Sequence, residues 1–150
     1  MFTASLFGII AGICVAVQTG LNNILGKSVP GIWVTLVSHL GGAIFALLLI
    51  LGSGLVSPRI AQQGLAQISS APWYSFAGGI FGVTIVASVL ASVRTLPIGT
   101  TLAMVVTGQF IASAIMEQAG FLGLQAHPIG AGRAVGIAMV CAGTFLMKQV

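Results

Sequence analysis

The stretch "FTASLFGIIAGICVAVQTGLNNIL", residues 2–25, decides how the chain folds. It contains no charged side chain, and about 20 apolar residues in a helix are enough to span a bilayer. Four more segments of this kind follow, so the sequence predicts an all-α integral membrane bundle. We expect five transmembrane helices in one transmembrane domain over residues 1–150, at about 2–25, 31–55, 73–95, 98–119 and 128–148.

The composition supports lipid as the main solvent of the chain. Hydrophobic residues make up 57% of the sequence and charged residues only 4%, whereas about 25% is usual for a globular protein. The few charges cannot cover the surface of a soluble protein. The basic residues are spread singly along the chain and form no basic face, which excludes a nucleic-acid partner.

Residues 57–72 form the one long polar connector. The spacing of Ile60, Leu65 and Ile68 predicts a short surface helix within it.

The first helix has two different faces when its residues are placed at 100° intervals. Leucine, isoleucine and valine cover one face and suit lipid. The other face begins with a ladder of small residues that includes Gly8, Gly12 and Gly20, which favours close helix packing. It ends with Gln18 and Asn22, one turn apart. Their amides either form hydrogen bonds between helices or line a cavity that binds and releases a solute.

The fourth predicted helix carries a polar stripe of Gln109, Ser113 and Glu117 at i, i+4 and i+8. Ionisable residues inside spans are costly and are therefore functional candidates. Glu117 is the only acid in the chain, and Arg133 is expected on the same side of the membrane. The two form a structural pair, or Glu117 couples transport to a proton or cation, or it is an exposed charge at the helix end.

The second helix adds Ser38 and His39 to the cavity candidates. A histidine within a span either relays protons or stays neutral and hydrogen-bonded to a neighbouring carbonyl or hydroxyl. Further small residues, Gly78, Gly82 and Gly136, are expected at helix contacts.

Motifs of nucleotide-binding, hydrolytic and metal-dependent enzymes are missing. With one acid and two distant histidines, a hydrolytic or metal site is hard to assemble. We therefore expect no enzymatic activity, no metal and no cofactor.

Orientation is almost unbiased. Lys27, Arg94 and Lys148 fall on one side, whereas Arg59 and Arg133 fall on the other, together with the N-terminal amine. Under the positive-inside rule, the side richer in lysine and arginine remains cytoplasmic, and three side chains against two give almost no preference. The chain therefore inserts one way with a weak bias, or it inserts both ways and pairs opposite orientations.

Five stretches of the chain carry recognisable motifs: "GIIAGICVAVQTGLNNILG" (8–26), "SHLGGA" (38–43), "PWYSFAGGIFGV" (72–83), "LPIGTTLAMVVTGQFIASAIMEQAGFLG" (96–123) and "GRAVGIAMVCAGTFLM" (132–147). Together they resemble the YdcZ-type family of the drug/metabolite transporter superfamily, over nearly the whole chain. The family usually has aspartate at the position of Glu117.

The resemblance implies a half-size transporter in the bacterial inner membrane that crosses the bilayer several times. Its partner would be an antiparallel second copy or a paralogous half. The leading expectation is a secondary-active exporter of a small organic solute that works by alternating access, with the substrate unidentified. The alternatives are a passive channel for a small ion or solute and a non-transporting partner subunit.

Overall fold

A computed structural model describes residues 2–56, 58–68, 70–121 and 125–149. The regular elements in these ranges are helical, as the sequence predicts. They are α1 (Phe2–Leu25), α2 (Gly31–Val56), α3 (Pro58–Ile68), a 3₁₀ helix (Trp73–Ala77), α4 (Gly78–Ser92), α5 (Ile98–Ala119) and α6 (Ala131–Gln149).

Among the described residues, five helical segments are long and apolar enough to cross a membrane, which confirms the predicted fold class. They are Thr3–Leu25, Gly31–Gly54, Trp73–Ser92, Ile98–Ala119 and Ala131–Gln149. The third span combines the 3₁₀ helix with α4. The last span begins a few residues later than predicted. The amides of Arg133 and Ala134 are the first to bond to the Gly130 carbonyl.

The predicted connector contains α3, which packs against α2. The side chains of Ile60 and Leu65 lie outside the described residues.

Helix α5 has sharply defined ends. It starts directly after Pro97, whose missing N–H costs nothing before a first turn. It ends at Gly120, which adopts a left-handed conformation with φ of 61°, the conformation that glycine accepts most readily. The backbone amides of Gly120 and His127 both donate to the carbonyl of Glu117, at 3.3 and 3.1 Å. The end of α5 at Glu117 is therefore held in place.

The chain divides into two compact units. The first contains α1 up to Ala16 and the chain from Ser92 onward. Within it, α5 packs antiparallel against α6, and the Ser92 and Thr101 hydroxyls are 3.1 Å apart.

The second unit contains the rest of α1 together with α2, α3 and α4. Within it, Leu90 of α4 is buried. Its Cδ1 atom would lie 3.1 Å from a Cβ added at Gly26, in the turn after α1.

Little of the helix surface is buried within the chain. In the most apolar window of each span, between 0 and 17% of the residues are buried. Large apolar side chains such as Phe7, Leu48 and Ile80 are exposed, which is favourable where lipid replaces water. Polar side chains that are also exposed on these helices are unfavourable in lipid, and they define the candidate site.

Candidate functional site

Gln18 and Ser38 are brought together across α1 and α2. The Gln18 amide nitrogen donates to the Ser38 hydroxyl at 3.3 Å. Gln18 remains exposed, and Asn22, one turn further along α1, is half-buried. The Gln18 amide therefore links α1 to α2, and its side chain remains exposed.

His39 is hydrogen-bonded within its own helix. Its Nδ1 atom lies 2.8 Å from the carbonyl oxygen of Thr35. A carbonyl can only accept, so Nδ1 carries the hydrogen and the Nε2 atom of a neutral ring is left as an acceptor. A Cβ added at Gly82 of α4 would lie 3.1 Å from Nε2. The imidazole thus occupies space that Gly82 leaves open.

An apolar groove of about 380 Å³ lies beside His39. Its other walls are Ile32, Trp33, Thr35, Leu36 and Val83. Thr35 is almost fully buried, with 1% of its surface exposed, and its hydroxyl donates to the Gly31 carbonyl at 3.1 Å. The Thr35 hydroxyl is therefore already used, which leaves His39 and Trp33 as the other lining residues with polar side-chain atoms.

Polar contacts join α5 to α6 at three levels. At one end, the Thr100 hydroxyl donates to the Met147 carbonyl at 3.3 Å. In the middle, the hydroxyls of Thr107 and Thr144 are 2.7 Å apart. Thr107 also donates to the Ala103 carbonyl at 2.8 Å. Thr144 lies farther from the same carbonyl, at 3.3 Å. Because the shorter contact is the stronger hydrogen bond, we assign the Thr107 hydrogen to the Ala103 carbonyl and make Thr144 the donor between the helices.

The third level is the ion pair between Glu117 and Arg133. The Nη1 atom of Arg133 donates to Oε2 of Glu117 at 2.6 Å. The Arg133 side chain is 36% exposed and the Glu117 side chain is 32% exposed. The pair that the sequence suggested is therefore formed within one chain, and it remains open to its surroundings.

This pair stands at a groove of about 460 Å³ between α5 and α6, which we call the α5–α6 groove. Ser113 shares the wall with Glu117 and Arg133, and its hydroxyl donates to the Phe110 carbonyl at 3.0 Å. The remaining lining is apolar or small and consists of Phe110, Gly136, Ile137 and Val140. The groove therefore combines one charged end with an apolar wall.

The predicted cavity residues fall into separate groups. Gln18, Ser38 and His39 belong to the second unit, whereas Ser113 and the ion pair belong to the first. Gln109 is exposed on α5 and is not part of the α5–α6 groove.

Most glycines expected at helix contacts face open space in the single chain. A Cβ added at Gly8, Gly12, Gly20, Gly78 or Gly136 would meet no atom within 4 Å. Gly82, beside His39, is the member of the predicted set that the chain itself uses for close packing.

Sequence reasoning missed the buried threonines. Thr35, Thr100 and Thr101 are among the most deeply buried side chains described, and Thr107 and Thr144 join two helices. Their signal is weak because threonine is nearly neutral on hydropathy scales and often bonds its own helix. The pair "TT" at 100–101, directly after a proline-led helix start, is the one local pattern that would have drawn attention to them.

Comparison with known families accounts for the resemblance. The family model DMT_YdcZ, described as "Putative inner membrane exporter, YdcZ", matches residues 3–146. The chain belongs to the YdcZ family. This membership and the five apolar spans identify a multi-pass inner-membrane protein of a transporter family. No curated protein and no solved structure is similar enough to match the chain.

Proposed function

We propose that this YdcZ-family protein is a secondary-active exporter of a small organic solute that works as an antiparallel dimer by alternating access. Membership of an exporter family supports the transport activity. Exposed amides, open glycines and the distribution of charges support the antiparallel dimer, and the uncoupler experiment tests the energy coupling.

The observation that carries the proposal is the exposure of glutamine side chains within the spans. Gln18 in α1 and Gln109 in α5 are both exposed, although each lies well inside a helix that suits the bilayer. The bond to Ser38 uses one N–H of Gln18 and leaves the rest of its amide. A polar group left without a partner in hydrocarbon costs several kcal/mol. These amides therefore call for water, a solute or another chain beside them, and a transport cavity between two copies provides all three.

The open glycine ladder supports contact with a second copy. Gly8, Gly12 and Gly20 have no neighbour within 4 Å of an added Cβ. Small residues at this spacing let two helix backbones approach closely, where packing and weak hydrogen bonds stabilise association. A second copy of the same α1 offers the matching surface.

An antiparallel arrangement follows from the number of spans and the charges. With five spans, the two ends of the chain lie on opposite sides of the membrane. The nearly even division of lysine and arginine between the sides allows both orientations. Many transporters bind substrate near the midplane between inverted repeats, and two oppositely inserted copies reproduce that symmetry.

The test is to replace the exposed amides and measure export. Gln18→Leu and Gln109→Leu keep side-chain volume nearly unchanged but remove the polar groups. Gln63→Leu in α3, outside the five spans, makes the same change and serves as the control. Cells expressing each variant are compared by untargeted mass spectrometry of the medium. A solute should accumulate outside with the unchanged protein and with Gln63→Leu, and it should be lost with the other two.

A proton uncoupler separates the exporter from a passive channel. A sodium ionophore is added with the uncoupler, because the coupling ion is a proton or another cation. Secondary export against a gradient should stop when both ion gradients are removed. Accumulation that continues, or that is unchanged in both Gln18→Leu and Gln109→Leu, would refute the proposed mechanism.

A further inference from the structure

The α5–α6 groove offers two opposite charges side by side. Arg133 and Glu117 are joined by one hydrogen bond of 2.6 Å. A guanidinium has five N–H donors and a carboxylate has two acceptor oxygens. One bond therefore leaves most of this capacity for another partner, and about a third of each side chain is exposed.

Charge balance limits what can cover this pair. A neutral apolar molecule would remove water from both charges and replace none of their hydrogen bonds, which is costly. A lone anion would satisfy Arg133 but would be repelled by Glu117, and a lone cation would meet the reverse problem. A ligand with both an acceptor anion and a donor cation satisfies both side chains.

The remaining walls determine the rest of the ligand. The groove extends away from the charges along Phe110, Ile137 and Val140. Gly136 also lines it, and a Cβ added there would meet no atom within 4 Å. From Arg133 to Val140 the wall runs for about 10 Å at 1.5 Å per residue. The volume of about 460 Å³ lies within the range of small-molecule sites, about 300–1,000 Å³. A short aliphatic tail fits this wall.

We propose that the α5–α6 groove binds a small zwitterion with an aliphatic tail, such as an aliphatic α-amino acid. Its carboxylate bonds to Arg133, its ammonium group bonds to Glu117, and its tail lies along the apolar wall. That this ligand is the exported solute rests on the function proposed above; that the groove binds it does not.

The experiment measures equilibrium binding to the purified full-length protein in detergent. Labelled L-leucine is the probe, with L-leucine methyl ester and 4-methylpentanoate as competitors. The three share one aliphatic tail, but the ester carries only the ammonium group and the acid only the carboxylate. Leucine should compete at least about tenfold better than either, which corresponds to about 1.4 kcal/mol. Equal competition by all three would overturn the proposal.

Two glycine variants of α6 test the location. Gly136→Leu fills the groove, and its added Cβ meets no atom within 4 Å. Gly143→Leu makes the same change on the same helix, also in open space, about 10 Å away and outside the groove. Both should elute from size exclusion like the unchanged protein. Leucine binding should be lost in Gly136→Leu alone, and its retention there would overturn the site.

Glu117→Gln tests the assigned charges through ligand preference. Without the carboxylate, 4-methylpentanoate should gain affinity relative to leucine, a change that a purely structural ion pair would not produce. An unchanged preference would refute the assignment. Co-purification of phosphatidylethanolamine that Gly136→Leu abolishes, without leucine binding, would identify a lipid site and overturn the proposal.

The two proposals fail in distinguishable ways. If leucine does not bind but another solute is exported in a manner that requires Gln18, the exporter stands and the groove assignment fails. If leucine binds at the groove but no solute leaves the cell, the binding site stands and the exporter fails.

Discussion

Replacing Gly82 by alanine tests the contact between α2 and α4. The added Cβ would lie 3.1 Å from Nε2 of His39, closer than ordinary van der Waals contact. The imidazole cannot rotate freely, because its Nδ1 atom is hydrogen-bonded to the Thr35 carbonyl at 2.8 Å. Gly82→Ala must therefore shift the ring, break that hydrogen bond or separate the helices. Gly78→Ala, one turn earlier in α4, meets no atom within 4 Å and is the matched control.

The size of the effect follows from these alternatives. Breaking the hydrogen bond costs about 0.6 kcal/mol on average in a membrane protein, and overpacking costs about 1–3 kcal/mol. Against this, alanine in place of glycine favours a helix by up to about 1 kcal/mol. Gly78→Ala should gain only this stabilisation from the higher helix propensity of alanine. We expect Gly82→Ala to be less stable than Gly78→Ala by about 1–2 kcal/mol, from the hydrogen-bond and overpacking costs.

The assay is reversible unfolding of the detergent-solubilised protein by SDS, followed by circular dichroism. A cycle with His39→Ala isolates the contact, because removing the ring should remove the penalty of Gly82→Ala. If Gly82→Ala and Gly78→Ala are equally stable, or if His39→Ala does not relieve the difference, the packing of His39 against Gly82 is wrong.

Two further contacts give predictions. Thr144→Val should destabilise the α5–α6 contact by about 0.6 kcal/mol. Thr107→Val should have little effect, because the Thr144 hydroxyl lies 3.3 Å from the Ala103 carbonyl and can donate there instead. Unfolding measurements that rank the two in the opposite order would contradict the assigned donor. Glu117→Arg should lower the yield of folded protein, and adding Arg133→Glu should restore it, as measured by size exclusion. A double variant no better than Glu117→Arg alone would show that the ion pair does not stabilise the fold.

The number and type of helices were predictable from sequence because hydrophobic length decides both. A run such as residues 2–25 can satisfy its backbone in lipid only as a helix. The start of α6 at Ala131 was not predictable to the residue, because Pro128 is also an acceptable helix start. The carbonyl of Gly130 accepts the first hydrogen bonds of α6. Which carbonyl does so depends on the path of the chain between α5 and α6.

The site was predictable in its residue types more than in its contacts. Glu117 and Arg133 could be paired from sequence, because they are the charges expected at the same ends of adjacent spans. The contact between His39 and Gly82 could not, because it depends on how α2 and α4 rotate about their axes. Hydrophobic periodicity defines such rotation poorly when most of each helix surface is apolar.

The measurement that tests the central claim most directly is the sidedness of the C-terminus. A cysteine is appended after Val150 in a chain carrying Cys14→Ala and Cys141→Ala, which removes the two free thiols. Intact cells are then labelled with a membrane-impermeant thiol reagent. The antiparallel dimer predicts labelling of about half of the molecules, because the two orientations are equally populated. Labelling of nearly all or nearly none would show a single orientation and contradict an antiparallel pair of identical chains.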